Sequence, residues 1–376
     1  MFKIFFIIIC ITTMGFSYGI VVGHYEIFPY DLIMDVKRSS NNNPQVSEDS
    51  LQIYEDPNDI FNNIKINSID DIKNKRFNLY QYLWFQNSLP TKLPDLINND
   101  IKDIDFDDLN NLKRIDKFTI IMDYEINSIP YLFLAENSNN KLIIYHQGHG
   151  EKNYFDDKDT IQSFLNSGYS VLIFSMILHG INNEPVINME NFGNLKFTTH
   201  NHLKLLESTS FHPIKFFIEP ISISLNFIDE KYNFDSYHMV GLSGGGWTTS
   251  LYSALDPRIL NSFSVAGSFP IALRSDPINF GDYEQTIPDF FRLSNYLELY
   301  LMGSYGEDRK STQIFIKSDP CCFTSELYEK YPYEEIISKK LNHLGNGEFN
   351  VIIDESTIKH ELSSDILNKI LSDITT

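Results

Sequence analysis

The sequence predicts an α/β protein, a mostly parallel central sheet with helices on both faces. Three observations point there. From about residue 117 onward, strand-like and helix-like stretches alternate, the order in which a parallel sheet acquires its crossover helices. Runs such as Leu142-Ile143-Ile144-Tyr145 are continuously apolar, as strands covered on both faces are. The stretch Tyr237-His238-Met239-Val240-Gly241-Leu242-Ser243-Gly244-Gly245-Gly246-Trp247 passes from an apolar run through Gly-x-Ser-x-Gly into small, helix-tolerant residues. That pattern reads as a strand, a very tight turn and a helix.

Met1–Gly19 opens with Lys3, continues through an apolar run from Ile4 to Phe16 and ends on a small residue. This is the pattern of a secretory signal peptide, with cleavage expected near Gly19 or Ile20. The run is short for a transmembrane span, so no stable span is expected; a retained signal anchor is the alternative. Residues 20–116 are polar and acidic with short apolar patches. Helical spacing over Asp59–Asn87 (Ile60, Phe61, Ile64, Ile72, Leu79, Leu83) predicts an N-terminal helical extension packed on the main domain. Too few apolar residues remain there for a core of its own.

The main domain is expected over 117–376. Phe118–Met122 and Ile129–Leu134, separated by Asn127-Ser128, suggest a hairpin. Strands are then expected at Leu142–Tyr145 and Tyr169–Phe174, with a helix from Thr160 to Ser167 stopped by Gly168 between them. A helix over Pro213–Tyr232 leads into the Tyr237 strand. Further strands are expected at Ser262–Gly267, Gln313–Ile316 and Phe349–Ile353. Two insertions, Ile181–His212 and Ala272–Ser311, interrupt this alternation, the second rich in aromatics (Phe280, Tyr283, Phe290, Phe291, Tyr296, Tyr300). They read equally as lids over a pocket or as ordinary packing helices.

The chain has 376 residues and a net charge of −20. That acidity argues against nucleic acid and anionic membranes as partners, because nothing resembles a basic patch. Cys10 would leave with the signal peptide, so Cys321 and Cys322 remain, adjacent in sequence. They can close only on each other or stay as thiols, and packed thiols are expected because poor disulfide geometry stores strain. No Asn-x-Ser/Thr sequon occurs.

At the turn, Gly241 and Gly245 let strand and helix approach while Ser243 takes a strained conformation that exposes its hydroxyl. The helix N-terminus behind it offers free N–H groups to a developing negative charge. A P-loop and a dinucleotide fingerprint are excluded: no Gly-Lys-Ser/Thr occurs at this turn, and Gly241–Gly246 does not spell G-x-G-x-x-G. A serine nucleophile needs a base and an orienting acid. His360 follows the last strand and is the expected base; its downstream competitor His343 falls before that strand. Asp319, just past Gln313–Ile316, is the favoured acid, with Asp354, Glu355, Asp276 and Asp282 as competitors. After Leu142–Tyr145 comes His146-Gln147-Gly148-His149-Gly150, where Gln147 or Gly148 would supply one oxyanion N–H and Gly244 the other. Metal ligation by His146 and His149 is disfavoured, since no carboxylate or third histidine stands at ligand spacing nearby. No cofactor is expected.

With Gly241–Gly245, the loop His146–Gly150, Asp319 and His360 in this order, the chain resembles the α/β-hydrolase superfamily over roughly 117–376. The Ser-Gly-Gly-Gly-Trp turn looks more like the esterase and prolyl-oligopeptidase branches. It departs from the family pattern at Gln147, where Gly is usual, and in a long spacing between Asp319 and His360. The resemblance implies a Ser243-His360-Asp319 triad hydrolysing a small-molecule ester, or less readily an amide, through an acyl-enzyme. A secreted or lumenal location and an uncharged or cationic substrate are expected. The alternative is a non-catalytic binding protein on the same scaffold.

Overall fold

Ser68 opens the first described helix, α1 (Ile69–Trp84): its hydroxyl accepts the Asp71 N–H at 3.2 Å while the Asp71 carboxylate accepts the Ser68 N–H at 2.9 Å. This reciprocal cap satisfies two N–H groups that no helical carbonyl can reach. The computed structural model describes residues 61–150, 153–274 and 280–375; the predicted signal peptide lies outside the described residues. Among the described residues, no helix is long and apolar enough to cross a membrane.

After α1 come β1 (Leu96–Ile101), β2 (Leu112–Ile121), β3 (Asn127–Ser128), β4 (Tyr131–Ala135), β5 (Lys141–His146), α2 (Lys158–Asn166) and β6 (Ser170–Phe174). A small hairpin, β7 (Val186–Met189) and β8 (Gly193–Lys196), precedes α3 (Glu219–Lys231), β9 (Ser236–Leu242), α4 (Gly244–Leu255) and β10 (Ile259–Val265). The chain closes with α5 (Pro288–Leu293), α6 (Tyr296–Ser304), β11 (Lys310–Ile316), α7 (Ser325–Lys330), α8 (Glu334–Leu344), β12 (Glu348–Asp354) and α9 (Ser364–Thr375). The strand order is β1-β2-β4-β6-β5-β9-β10-β11-β12, with β3 beside β2. From β6 to β12 neighbours run parallel, whereas β1, β2 and β4 are antiparallel. β5, β6 and β9 are buried along nearly their whole length, as their apolar runs require.

Two sequence expectations change. Leu96–Ile101 lies in the stretch read as a helical extension, yet it pairs with β2, so the sheet begins well before residue 117. Its Asn98-Asn99-Asp100 are exposed on a sheet edge, where no apolar alternation is needed and periodicity is silent. The helix expected over Pro213–Tyr232 is a 3-10 turn, Pro213–Phe217, followed by α3, which restarts with Pro220 in its first turn. Proline has no N–H to continue a helix but fits the first turn. In the second insertion, Tyr283, Phe290, Tyr296 and Tyr300 are buried. The Tyr296 hydroxyl donates to the Gln285 carbonyl at 3.0 Å and accepts the Trp247 indole N–H at 3.1 Å. Tyr296 and Tyr300, on α6, pack against α4.

α4 is buried along its whole length and must be held at both ends. At its C-terminal end, Arg309 donates to the Ser253 carbonyl at 2.7 Å, Arg76 to Ala254 at 2.8 Å, and the Tyr80 hydroxyl to Leu255. Terminal carbonyls with no helical partner are thus satisfied by side chains from α1 and the turn before β11. The N-terminal extension therefore anchors the helix that follows Ser243.

Candidate active site

The register of the parallel strands lines up the candidate residues before any side chain is considered. His146 pairs with Gly241, Leu242 with Val265, Val265 with Ile314, and Ile316 with Asp354. The loops carrying Gln147–Gly150, Ser243, Asp319 and His360 therefore leave the same carboxyl edge of the sheet. In open α/β sheets this edge is where ligands bind.

Ser243 sits between β9 and α4 with φ 55° and ψ −123°, a conformation costly for a residue with a Cβ. The turn is held by the Ser243 N–H donating to the Val265 carbonyl at 2.8 Å and by the Ser243 carbonyl accepting the Trp247 N–H at 3.0 Å. A Cβ on Gly241 would fall on the Gly245 carbonyl, and one on Gly245 on the His146 carbonyl, both inside the 3.0 Å that real Cβ atoms keep. Both obstacles are backbone, so neither can swing aside. Gly245→Ala is expected to destabilise the protein by at least the ~1–3 kcal/mol of ordinary overpacking. Gly150→Ala, with nothing within 4 Å of the added methyl, is expected to leave the urea midpoint unchanged, and comparing the two midpoints checks the close approach.

His360 and Asp319 meet. The His360 Nδ1–H donates to the Asp319 carboxylate, at 2.8 Å to Oδ2 and 3.0 Å to Oδ1. Oδ1 also accepts the backbone N–H groups of Cys321 at 2.7 Å and Cys322 at 3.2 Å. With its proton on Nδ1, the neutral ring presents a lone pair at Nε2. That atom is buried and has no hydrogen-bond partner among the described residues. The direct contact expected between Nε2 and the Ser243 hydroxyl is thus not formed in this state.

The competing acids are otherwise engaged. Asp354 accepts from Ser356 and Ser363, bracing the loop that carries His360. Glu355 pairs with Lys317 at the surface, Asp282 stands beside His149, and Asp276 lies outside the described residues. The long spacing between Asp319 and His360 is filled by α7 and α8 before β12.

Cys321 and Cys322 are joined as a vicinal disulfide, not packed as buried thiols. The bond closes the turn whose two N–H groups hold Asp319, and Cys321 is exposed. Alkylation after reduction is expected to add two groups that unreduced protein does not take up, read by intact mass.

At the expected oxyanion site, the Gln147 backbone N–H donates to the Phe174 carbonyl at 2.9 Å. It continues the β5–β6 ladder, which removes Gln147 as an oxyanion donor. Its side chain braces the loop instead, donating to Asn153 at 3.0 Å and Asp157 at 2.6 Å and accepting from Ser175 at 2.7 Å. The loop lies against the first turn of α4, since a Cβ on Gly244 would meet the His149 ring at 2.5 Å. Gly244 is the first residue of that helix, where N–H groups lack helical acceptors.

Sequence spacing missed one feature. His149, His179, His200, Asp282 and Glu284 converge beside this loop. His146 stays apart, donating to the Gln147 carbonyl and stacked on Phe174. Burial opposes charge on His200, but the Glu284 carboxylate outweighs it and raises the ring above its ordinary pKa. Burial likewise opposes charge on Glu284, while the charge of His200 and hydrogen bonds from His149 and His200 hold it well below the carboxylate range. His179 is pushed down to about 4, chiefly by burial. These residues lie on four separate segments, so no local motif could have announced them.

A scan against protein-family models finds no match, and no characterised protein matches in sequence. Solved structures do match. The acetyl xylan esterase from Paenibacillus sp. R4 superposes with a TM-score of 0.53 at 16% identity, over 82% of this chain and 95% of that one. Acetyl xylan esterase 1 from Thermoanaerobacterium sp. JW/SL YS485 gives 0.51 at 12% identity, over 85% and 98%. A methylesterase gives 0.53 at 13% identity, over 86% and 65%. Identities this low speak for the fold, and with the sheet order and the strained turn at Ser243 they establish that this chain has the α/β-hydrolase fold.

Proposed function

We propose that this protein is a serine esterase acting on small esters, with Ser243 as nucleophile, His360 as general base and Asp319 as its orienting acid. The observation that carries this reading is the His360–Asp319 pair. Its free Nε2 is buried at the sheet edge from which the strained Ser243 also emerges. Such pairs are often looser without substrate, so the open contact to Ser243 is compatible with the role.

In the reaction, Ser243 Oγ transfers its proton to His360 Nε2 as it attacks the carbonyl carbon. Asp319 stabilises the imidazolium that forms and holds Nε2 towards the serine. The developing oxyanion accepts from the Gly244 N–H, with Gly148 as the second donor in place of Gln147. The imidazolium then protonates the leaving alcohol, and a water repeats the sequence to free the acid and Ser243. Three structural neighbours named as esterases support ester over amide substrates. The net charge of −20 favours uncharged or cationic ones. The leader Met1–Gly19 and the disulfide support a secreted or lumenal location.

Fluorophosphonate labelling followed by peptide mapping tests the assignment. A single adduct on Ser243, with loss of p-nitrophenyl acetate hydrolysis, is expected. Folded protein that neither labels nor hydrolyses would leave the binding-protein reading in its place.

A further inference from the structure

The cluster beside the oxyanion loop takes no part in the chemistry above, yet its geometry is specific. His149 Nε2 lies 3.0 Å from His200 Nδ1, 3.3 Å from Asp282 Oδ2 and 3.6 Å from Glu284 Oε1. His200 Nδ1 lies 3.2 Å from the same Glu284 oxygen. Four donors around a tetrahedral ion with bonds of about 2.0–2.1 Å stand roughly 3.3–3.4 Å from one another. The four separations straddle that edge length.

The hydrogen bonds around the cluster point the same way. His200 Nε2 donates to the Ile177 carbonyl at 2.8 Å, which leaves Nδ1 as the nitrogen that faces the cluster. Metal-bound histidines are oriented by this kind of bond through their second nitrogen. Nδ1 then faces a carboxylate oxygen and another imidazole nitrogen at once. Glu284 is 0% exposed, and its Oε2 has no hydrogen-bond partner among the described residues. A proton joins only two of these atoms at a time, whereas one cation reaches all four.

We propose that His149, His200, Asp282 and Glu284 bind a single divalent transition-metal ion of the zinc class. Two imidazoles and two carboxylates suit a borderline ion better than Ca²⁺ or Mg²⁺, which prefer all-oxygen shells. The two carboxylates would balance the charge of the ion. The ion ties three segments together: the loop after β5, the 3-10 helix His200–Leu206 and the turn Tyr283–Gln285. Because the His149 ring packs on Gly244, it braces the wall of the oxyanion site without touching the reacting atoms.

The test reads metal, not turnover. Full-length protein is stripped with EDTA, dialysed against Zn²⁺ and then against metal-free buffer, and its metal content measured by mass spectrometry. One ion per chain is expected to remain, with a higher melting temperature than the stripped protein. Co²⁺ in its place should show the strong visible absorption of a tetrahedral site. His149→Ala and Asp282→Asn, at partly exposed positions that should fold, are expected to lose the ion and the thermal shift. Ser243→Ala should retain both, so a failed esterase assignment would not be mistaken for a failed metal site. Retention no greater than in His149→Ala, or a melting temperature indifferent to Zn²⁺, overturns the proposal. So does loss of the ion in His179→Ala but not in Asp282→Asn.

Discussion

Ser243→Ala is expected to lower kcat by roughly 10⁶-fold, the scale seen when a serine nucleophile working with its base is removed. The fold should be unaffected. The Ser243 side chain makes no capping hydrogen bond to α4, and alanine meets the same strain at φ 55° because it too has a Cβ. Binding should also persist, since the proposed oxyanion donors are backbone N–H groups. Steady-state kinetics with p-nitrophenyl acetate, alongside thermal melts of both proteins, check this. Undiminished kcat in a folded variant would remove Ser243 from the mechanism.

His360→Ala should cost nearly as much, and the double variant with Ser243→Ala little more than either alone. In the proposed mechanism the two side chains act in one proton-coupled step, so losing either abolishes the same transition-state interaction. Asp319 would lose the ring but keep the N–H groups of Cys321 and Cys322. The buried carboxylate therefore stays hydrogen-bonded, and the variant should fold. A double-variant kcat that falls by the product of the single losses would show that the residues act independently, against the shared step.

Much of the site was legible because its parts are local. The turn at Ser243 depends on glycines within four residues of one another, a steric requirement written directly in Gly241-Leu242-Ser243-Gly244-Gly245. Asp319 and His360 were legible as residues just beyond apolar strands. Asp319 was favoured over Asp354 from its place just past Gln313–Ile316, but both acids stand at the same sheet edge, and tertiary contacts separate them. The choice rests on Asp354 being held by Ser356 and Ser363 while Asp319 faces the imidazole. Gln147 misled for a related reason: the β5–β6 pairing engages its N–H, and pairing partners are invisible from one strand alone.

By itself, then, the sequence determined the parallel sheet, the turn at Ser243 and the order of the candidate catalytic residues. Apolar runs and glycine placement act through backbone sterics and burial over a few residues, and those are readable in any window of chain. Tertiary structure alone decided that Leu96–Ile101 extends the sheet, that the second insertion packs through Tyr296 and Tyr300, and that the vicinal disulfide presents two N–H groups to Asp319. It alone brought His200, Asp282 and Glu284 to His149. Each of these depends on how distant segments close on one another in space, and neither periodicity nor spacing records that distance.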